Sequence, residues 1–164
     1  MFEKEIGTIK RTSQTGLWGS VGAVILTAAF MMSPWTLRQS AYVSRWMLIA
    51  GSVLAVLAVS MTLMVVRRQV PRLRQSESLE AKLQGYASHV KSTFMSMFAV
   101  VILLCLMTVL SGQNVLLMLS MVATLTLFLA YPNIYKVKVD LGLTDEEMKS
   151  LYGDRYISDN KNEE

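Results

Sequence analysis

The chain has 164 residues, of which 52% are apolar and 17% are charged, whereas about 25% of the residues of an average soluble domain are charged. The formal net charge at pH 7 is +4, and three long stretches contain no Asp, Glu, Lys or Arg. This composition excludes an ordinary soluble enzyme, a disulfide scaffold and a disordered chain, and it predicts an all-α integral membrane protein. The uncharged stretches lie between Arg11 and Arg38, between Arg45 and Arg67, and between Lys91 and Lys136.

The first uncharged stretch predicts a membrane span over residues 15–34. A helix needs about 20 apolar residues to cross a hydrocarbon core of about 30 Å. The stretch is preceded by both acidic and basic residues, and it ends in Met31, Met32, Ser33 and Pro34 rather than in a cleavage site of small residues. We therefore expect an uncleaved first span rather than a signal peptide.

The second and third stretches predict three more spans. Residues 46–66 can cross once, but the stretch from 92 to 135 is too long for one helix. Gly112 can adopt the left-handed conformation that ends a helix, and Asn114 can cap the next one. The expected spans are therefore 92–111 and 114–133, which completes a four-helix bundle of antiparallel spans within residues 1–135.

The basic residues predict the orientation of these spans. Of the 16 Lys and Arg residues, all but Arg38 and Arg45 lie before the first span, in the loop at 67–91 or in the tail. The positive-inside rule then places both termini in the cytoplasm of a bacterial-type inner membrane. Trp35, Tyr42 and Trp46 are expected at the outer interface, where amphipathic rings prefer to lie.

The loop at 67–91 predicts a cytoplasmic amphipathic helix. Leu79, Leu83, Tyr86 and Val90 follow one another at steps of four, three and four, which gives an apolar stripe, and Ser76 is a candidate cap. This helix is expected either to lie on the inner membrane face or to run straight into the third span. The arginines at its start are expected to orient the second span or to bind an anionic lipid headgroup. They are Arg67, Arg68, Arg72 and Arg74.

The tail at 136–164 is expected to be cytoplasmic. Between 135 and 141 apolar and polar residues alternate, as in a strand, although the pattern also allows a helix. Thr144 and Glu147 have the spacing of a capping box, and Leu143 and Met148 have that of a hydrophobic staple. These residues predict a short helix at 145–152, which Gly153 would end.

Small residues recur at steps of three or four within the spans and predict close helix packing. The simplest interpretation pairs the first two spans, and the alternative is contact with another subunit, as in a homo-oligomer. The residues are Gly16, Gly19, Gly22 and Ala23 in the first span, Gly51, Ala55 and Ala58 in the second, and Ser92 and Ser96 in the third.

The spans offer little for catalysis or coupled transport. They contain no His or charged residue, His89 lies at the inner boundary, and the span hydroxyls are expected to bond to carbonyls one turn earlier. Cys105 is single, and the many methionines are interpreted as apolar filler rather than copper ligands. No catalytic, cofactor-binding or metal-binding residue is therefore predicted.

The sequence favours a non-catalytic structural or accessory subunit of the membrane. It would present its cytoplasmic segments to a protein partner or to anionic lipid, without binding nucleic acid. The alternative is a small-solute transporter or channel that acts as an oligomer, with Ser and Thr hydroxyls lining a path. An intramembrane enzyme is the third hypothesis, and it lacks a candidate nucleophile with a base.

Overall fold

The computed structural model describes residues 3–33, 41–74 and 78–152, and all elements of this part of the chain are α-helices. Three of them are long and apolar enough to cross a membrane, and a fourth candidate is formed by α4 and α5 taken together. The six helices are α1 (Glu3–Met31), α2 (Ala41–Arg74), α3 (Leu79–Ser111), α4 (Asn114–Ala130), α5 (Ile134–Leu141) and α6 (Asp145–Tyr152).

The central helix of the fold is α3. Both α1 and α2 pack on α3 and on α4, and α2 also contacts α5. Phe94, Met97, Val101 and Leu104 of α3 are almost fully buried. The main buried cluster joins α3 to α1, α4, α5 and α6, and a smaller cluster of Ala55, Leu104 and Leu116 joins it to α2. The pairing of the first two spans predicted from their small residues is therefore wrong, because each of them packs against α3 instead.

The helices α2 and α3 continue well beyond their uncharged segments. They contain 34 and 33 residues, which corresponds to about 50 Å each. Residues 79–91 form the first part of α3, so this part of the expected loop helix runs straight into the predicted third span, which is one of the two expected arrangements. Residues 67–74 belong to α2. Ser78 caps α3, its Oγ accepting from the Ala81 N–H over 3.2 Å, whereas the predicted cap Ser76 lies outside the described residues.

The turn between α3 and α4 forms where the sequence predicts it. Gly112 adopts a left-handed conformation with φ 66°, and its N–H donates to Thr108 O over 2.8 Å. Asn114, however, is the first residue of α4 rather than its cap, a position that Gln113 occupies. The tight turn leaves α3 and α4 adjacent and packed on one another.

A bend of 74° separates α4 from α5. Pro132 causes it, because a residue that precedes proline disfavours the helical conformation, and Tyr131 accordingly has ψ 126°. Because of this bend, α4 ends at Ala130, three residues before the predicted span limit of 133. It has only 17 residues and is about 25 Å long. Asn133 then caps α5, its Oδ1 accepting from the Lys136 N–H over 2.6 Å.

The segment at 135–141 is a helix and not a strand. Asn133 caps its start, and Gly142, with φ 60°, allows the left-handed conformation that ends it. Val137 and Leu141, one helical turn apart, face the core, whereas Tyr135 and Val139 are exposed. The apolar residues alternate in the sequence because one pair, Val137 and Leu141, lies on the buried side of α5 and the other pair, Tyr135 and Val139, lies on its exposed side.

Candidate functional site

The end of the bundle that contains Arg74 carries a connected polar cluster, and we call this end of the molecule the basic end. Arg74 closes α2, and its guanidinium donates to the backbone carbonyls of Asp140 at 2.9 Å and Val139 at 2.5 Å. Tyr86 of α3 donates from its Oη to Asp140 Oδ2 over 3.0 Å. The C-terminal half of α5 is therefore bonded to two other helices.

The helices α2 and α3 also approach each other closely beside these bonds. A Cβ at Gly85 would overlap the Leu73 side chain, so the glycine lets Leu73 lie against α3. Gly142 likewise faces the aliphatic stem of Arg74 at 3.7 Å. We call this assembly, made of residues 67–74 and 79–91 together with α5 and α6, the platform.

Burial shapes the protonation of the side chains in the platform. Burial and then the nearby Asp140 carboxylate raise the pKa of Tyr86, so its phenol stays a hydrogen-bond donor at neutral pH. Burial lowers the pKa of His89, and the Asp140 carboxylate opposes this shift. Burial also raises the pKa of Tyr152. In this cluster the Tyr86 phenol is therefore the donor that bonds α3 to Asp140 of α5.

The tail helix α6 is attached to the platform through its first turn. Glu147 Oε2 accepts from the Thr144 N–H over 2.8 Å, and Thr144 Oγ1 accepts from the Glu147 N–H over 3.3 Å, which is the reciprocal pattern of a capping box. Leu143 and Met148 are both buried in the main cluster. Lys138 of α5 also pairs with Asp145 at 2.5 Å. The helix runs to Tyr152, and Gly153 lies outside the described residues.

The four arginines predicted to orient the chain or to bind lipid all belong to α2. Arg67 and Arg68 lie within the helix, and the structure does not describe their side chains. Arg72 is exposed, while Arg74 bonds to α5. The two described arginines thus differ in role, because one faces solvent or lipid and the other holds the platform.

The predicted small-residue seams contact α3 and α4 at three glycines. A Cβ at Gly16 would lie 3.2 Å from Phe94 Cβ, and one at Gly19 would lie 2.8 Å from Phe98 Cε2. A Cβ at Gly51 would overlap Leu116. Among the described residues, no atom lies within 4 Å of the Cβ position of Gly22, so Gly22 makes no close approach to this part of the chain.

The remaining small residues have different surroundings. Ala55 is buried against Leu104 and Leu116, and Ala23 and Ala58 pack on the edge of the main cluster. Ser92 and Ser96 are exposed and line, with Ala58, an apolar groove between α2 and α3. The groove has a volume of about 400 Å³.

The span hydroxyls bond to their own helices. Thr108 Oγ1 donates to Leu104 O over 2.8 Å, and Ser96 Oγ donates to Thr93 O over 3.1 Å. Ser20, Thr27, Ser120 and Thr124 behave in the same way. Among the residues that the structure describes, no group of three His, Cys, Asp or Glu side chains is placed to hold a metal ion.

The aromatic belt expected at the outer interface is described only in part. Trp46 is 58% exposed. Trp35 lies outside the described residues, as does the side chain of Tyr42.

The Asp140 cluster was not predicted from the sequence. Tyr86 was assigned to an apolar stripe and Asp140 to the polar side of an alternating segment, and nothing in either pattern pairs them. The available signal was the isolation of Asp140, which is the only acidic residue between Glu80 and Asp145. The chain matches no family model, no curated protein and no solved structure.

Proposed function

We propose that the chain is a multi-pass protein of a bacterial-type inner membrane, with four antiparallel spans and both termini in the cytoplasm. The outward surfaces of the long helices support insertion, because Leu26, Met61 and Leu129 are 72%, 67% and 83% exposed. Soluble monomers rarely expose contiguous apolar surface on this scale. The excess of Lys and Arg at the basic end supports the orientation.

Within this membrane the protein acts as a non-catalytic structural or accessory subunit, which presents the platform to a protein partner. The observation that carries this proposal is the bonding of Arg74 and Tyr86 to α5. Residues 79–91 of α3 extend about 20 Å beyond the uncharged span. The Tyr86 bond to Asp140 fixes α5 against this extension, and the Arg74 bonds to Val139 and Asp140 fix it against α2. A surface that is rigid before binding loses less entropy when a partner docks.

The fourth proposed span, α4, is shorter than the other three, and its length supports a position of α5 at the membrane surface. The helix α4 is about 5 Å shorter than a hydrocarbon core of about 30 Å. The sharp bend that follows would place α5 along the inner interface. Its exposed residues Tyr135 and Val139 suit that position, because an aromatic ring and an apolar side chain can enter the headgroup boundary.

The second candidate function is a small-solute transporter or channel that acts as an oligomer. The groove between α2 and α3 favours it, since Thr62, Thr93 and Ser96 contribute to the lining. Against it, Ser96 donates its hydroxyl proton to its own helix, as do Thr108 and Thr124. We therefore prefer the accessory subunit. Uptake of any solute by sealed vesicles that contain only this protein would reverse the preference.

The test of the accessory role is site-specific photocrosslinking in native membranes. A photoreactive residue is placed at the exposed platform positions Arg72 and Lys149, and at the exposed control positions Asn114 and Leu125. The proposal expects one adduct of constant mass from the platform positions, which the controls do not give. The adduct should weaken when Arg74→Gln releases α5. An absence of adducts at the platform, or the same adduct at Asn114, would refute the role.

A further inference from the structure

The groove between α2 and α3 is an apolar slot. It runs beside Leu54 to Thr62 on α2 and Ser92 to Val100 on α3, and its volume is about 400 Å³. Ala58 and Ser96 provide small side chains, while Leu57, Met61 and Met97 provide long apolar ones. The lining of the slot thus suits an apolar ligand.

Basic residues follow the groove residues in sequence at one end of the groove, on both helices. Ser92 directly follows Lys91, which is exposed, and Thr62 lies about one and a half turns before Arg67 and Arg68 on α2. The helix α2 contains no acidic residue, and α3 contains none after Glu80. Beyond the slot, toward the basic end, α2 and residues 81–91 of α3 therefore carry only residues of cationic or neutral type.

We infer that the groove binds an acyl chain of an anionic phospholipid, whose headgroup lies near Lys91 at the basic end. This inference rests on the proposed insertion into a membrane. The apolar lining suits the hydrocarbon chain, and each basic residue near the surface attracts an anionic headgroup.

Native mass spectrometry of the purified chain tests the acyl-chain part of this inference. The protein is equilibrated with an equimolar mixture of phosphatidylglycerol and phosphatidylcholine with identical acyl chains. Wild type should retain phosphatidylglycerol preferentially. Ser96→Trp, which fills the slot, should lose most of the retained lipid, and the milder Ser96→Leu should lose part of it. Ser60→Trp is the matched control, because Ser60 is exposed on α2 outside the groove.

Charge substitutions test the position of the headgroup. Lys91→Gln should lower the preference for phosphatidylglycerol over phosphatidylcholine by about fivefold, as expected for one basic residue near the surface. Lys149→Gln, an exposed change on α6, is the matched control and should leave the preference unchanged.

Three results would overturn the inference. They are equal retention of both lipids by wild type, unchanged retention in both Ser96 variants, and dissociation of a dimer by Ser96→Trp, which would assign the groove to a second copy. A second measurement separates this inference from the proposed insertion: cysteines are placed at Gln84 and Asn114, and their accessibility is measured in membranes. If the two cysteines are labelled from opposite sides but the lipid is not retained, only this inference is lost. If both are labelled from the same side, the proposed insertion itself is refuted.

Discussion

Tyr86 donates a hydrogen bond from its phenol to Asp140 Oδ2 over 3.0 Å, and so connects two residues that are 54 positions apart in the chain. The backbone carbonyl of Asp140 accepts from Arg74 Nε over 2.9 Å. One residue of α5 is thus bonded to both α2 and α3. The platform derives its fixed shape from this convergence.

Removal of the Tyr86 hydroxyl should loosen α5. Tyr86 is 2% exposed, and a hydrogen bond to a charged group contributes about 1.5–3 kcal/mol. Tyr86→Phe should therefore accelerate hydrogen exchange of the α5 amides by roughly tenfold or more, provided that these amides exchange by local opening. Tyr135→Phe is the matched control, since Tyr135 is 66% exposed on the same helix. Equal exchange in the two variants would show that the hydrogen bond does not hold α5.

Arg74 should not be replaceable by lysine. Its guanidinium bonds to two successive carbonyls, of Val139 and Asp140, and a lysine ammonium lacks the planar fork that fits both. We expect Arg74→Lys to increase exchange in α5 nearly as much as Arg74→Gln does. Arg72→Lys, at an exposed position on the same turn, should have no effect. Wild-type exchange in Arg74→Lys would mean that charge alone holds α5.

The sequence predicted two helix limits that depend on neighbouring residues. Gly112 ends α3 and the Thr144 capping box begins α6, because a left-handed glycine and a cap each act within one turn. The uncharged stretches predicted the positions of the long helices for a similar reason, because the length and the apolar composition of a stretch can be read directly from the sequence.

Relationships between distant residues could not be predicted in this way. The spacing of Gly16 and Gly19 indicates a close approach but does not identify Phe94 and Phe98 as the neighbours. The alternating segment in α5 is too short to distinguish the two-residue period of a strand from the 3.6-residue period of a helix. The Tyr86–Asp140 bond depends on the bend at Pro132, which turns α5 back toward α3.

The close approach at Gly51 should make this position intolerant of a side chain. A Cβ there would overlap Leu116, which is fully buried, and would lie 3.4 Å from Leu104 Cδ2. Gly51→Val should destabilise the protein by about 1–3 kcal/mol, as overpacking does in other cores. Gly22→Val is the matched control, because its Cβ position is open, and it should change stability by less than about 0.5 kcal/mol.

Thermal unfolding of both glycine variants in one detergent measures this difference. A lower Tm only in Gly51→Val is expected. The packing of α2 on α4 would be in doubt if both variants unfolded at the same temperature. If instead Gly22→Val alone were destabilised, Gly22 would contact a second copy of the chain.

Loss of the Thr144 cap should release the start of α6. Thr144→Ala removes the oxygen that accepts from the Glu147 N–H, and loss of such a cap costs about 1 kcal/mol. Hydrogen exchange of the α6 amides should become about fivefold faster. Thr144→Ser keeps the oxygen and should behave as wild type. An identical effect of both substitutions would indicate that packing of Leu143 and Met148, rather than the cap, starts the helix.

The orientation of the chain in a membrane is the central claim, and cysteine accessibility tests it most directly. Single cysteines are placed at the exposed positions Gln84, Ser150 and Asn114 in a Cys105→Ala background, and a membrane-impermeant thiol reagent is applied to intact cells and to inverted vesicles. We predict that Asn114→Cys is labelled in intact cells, and that Gln84→Cys and Ser150→Cys are labelled only in inverted vesicles. Labelling of all three positions from the same side would contradict the account.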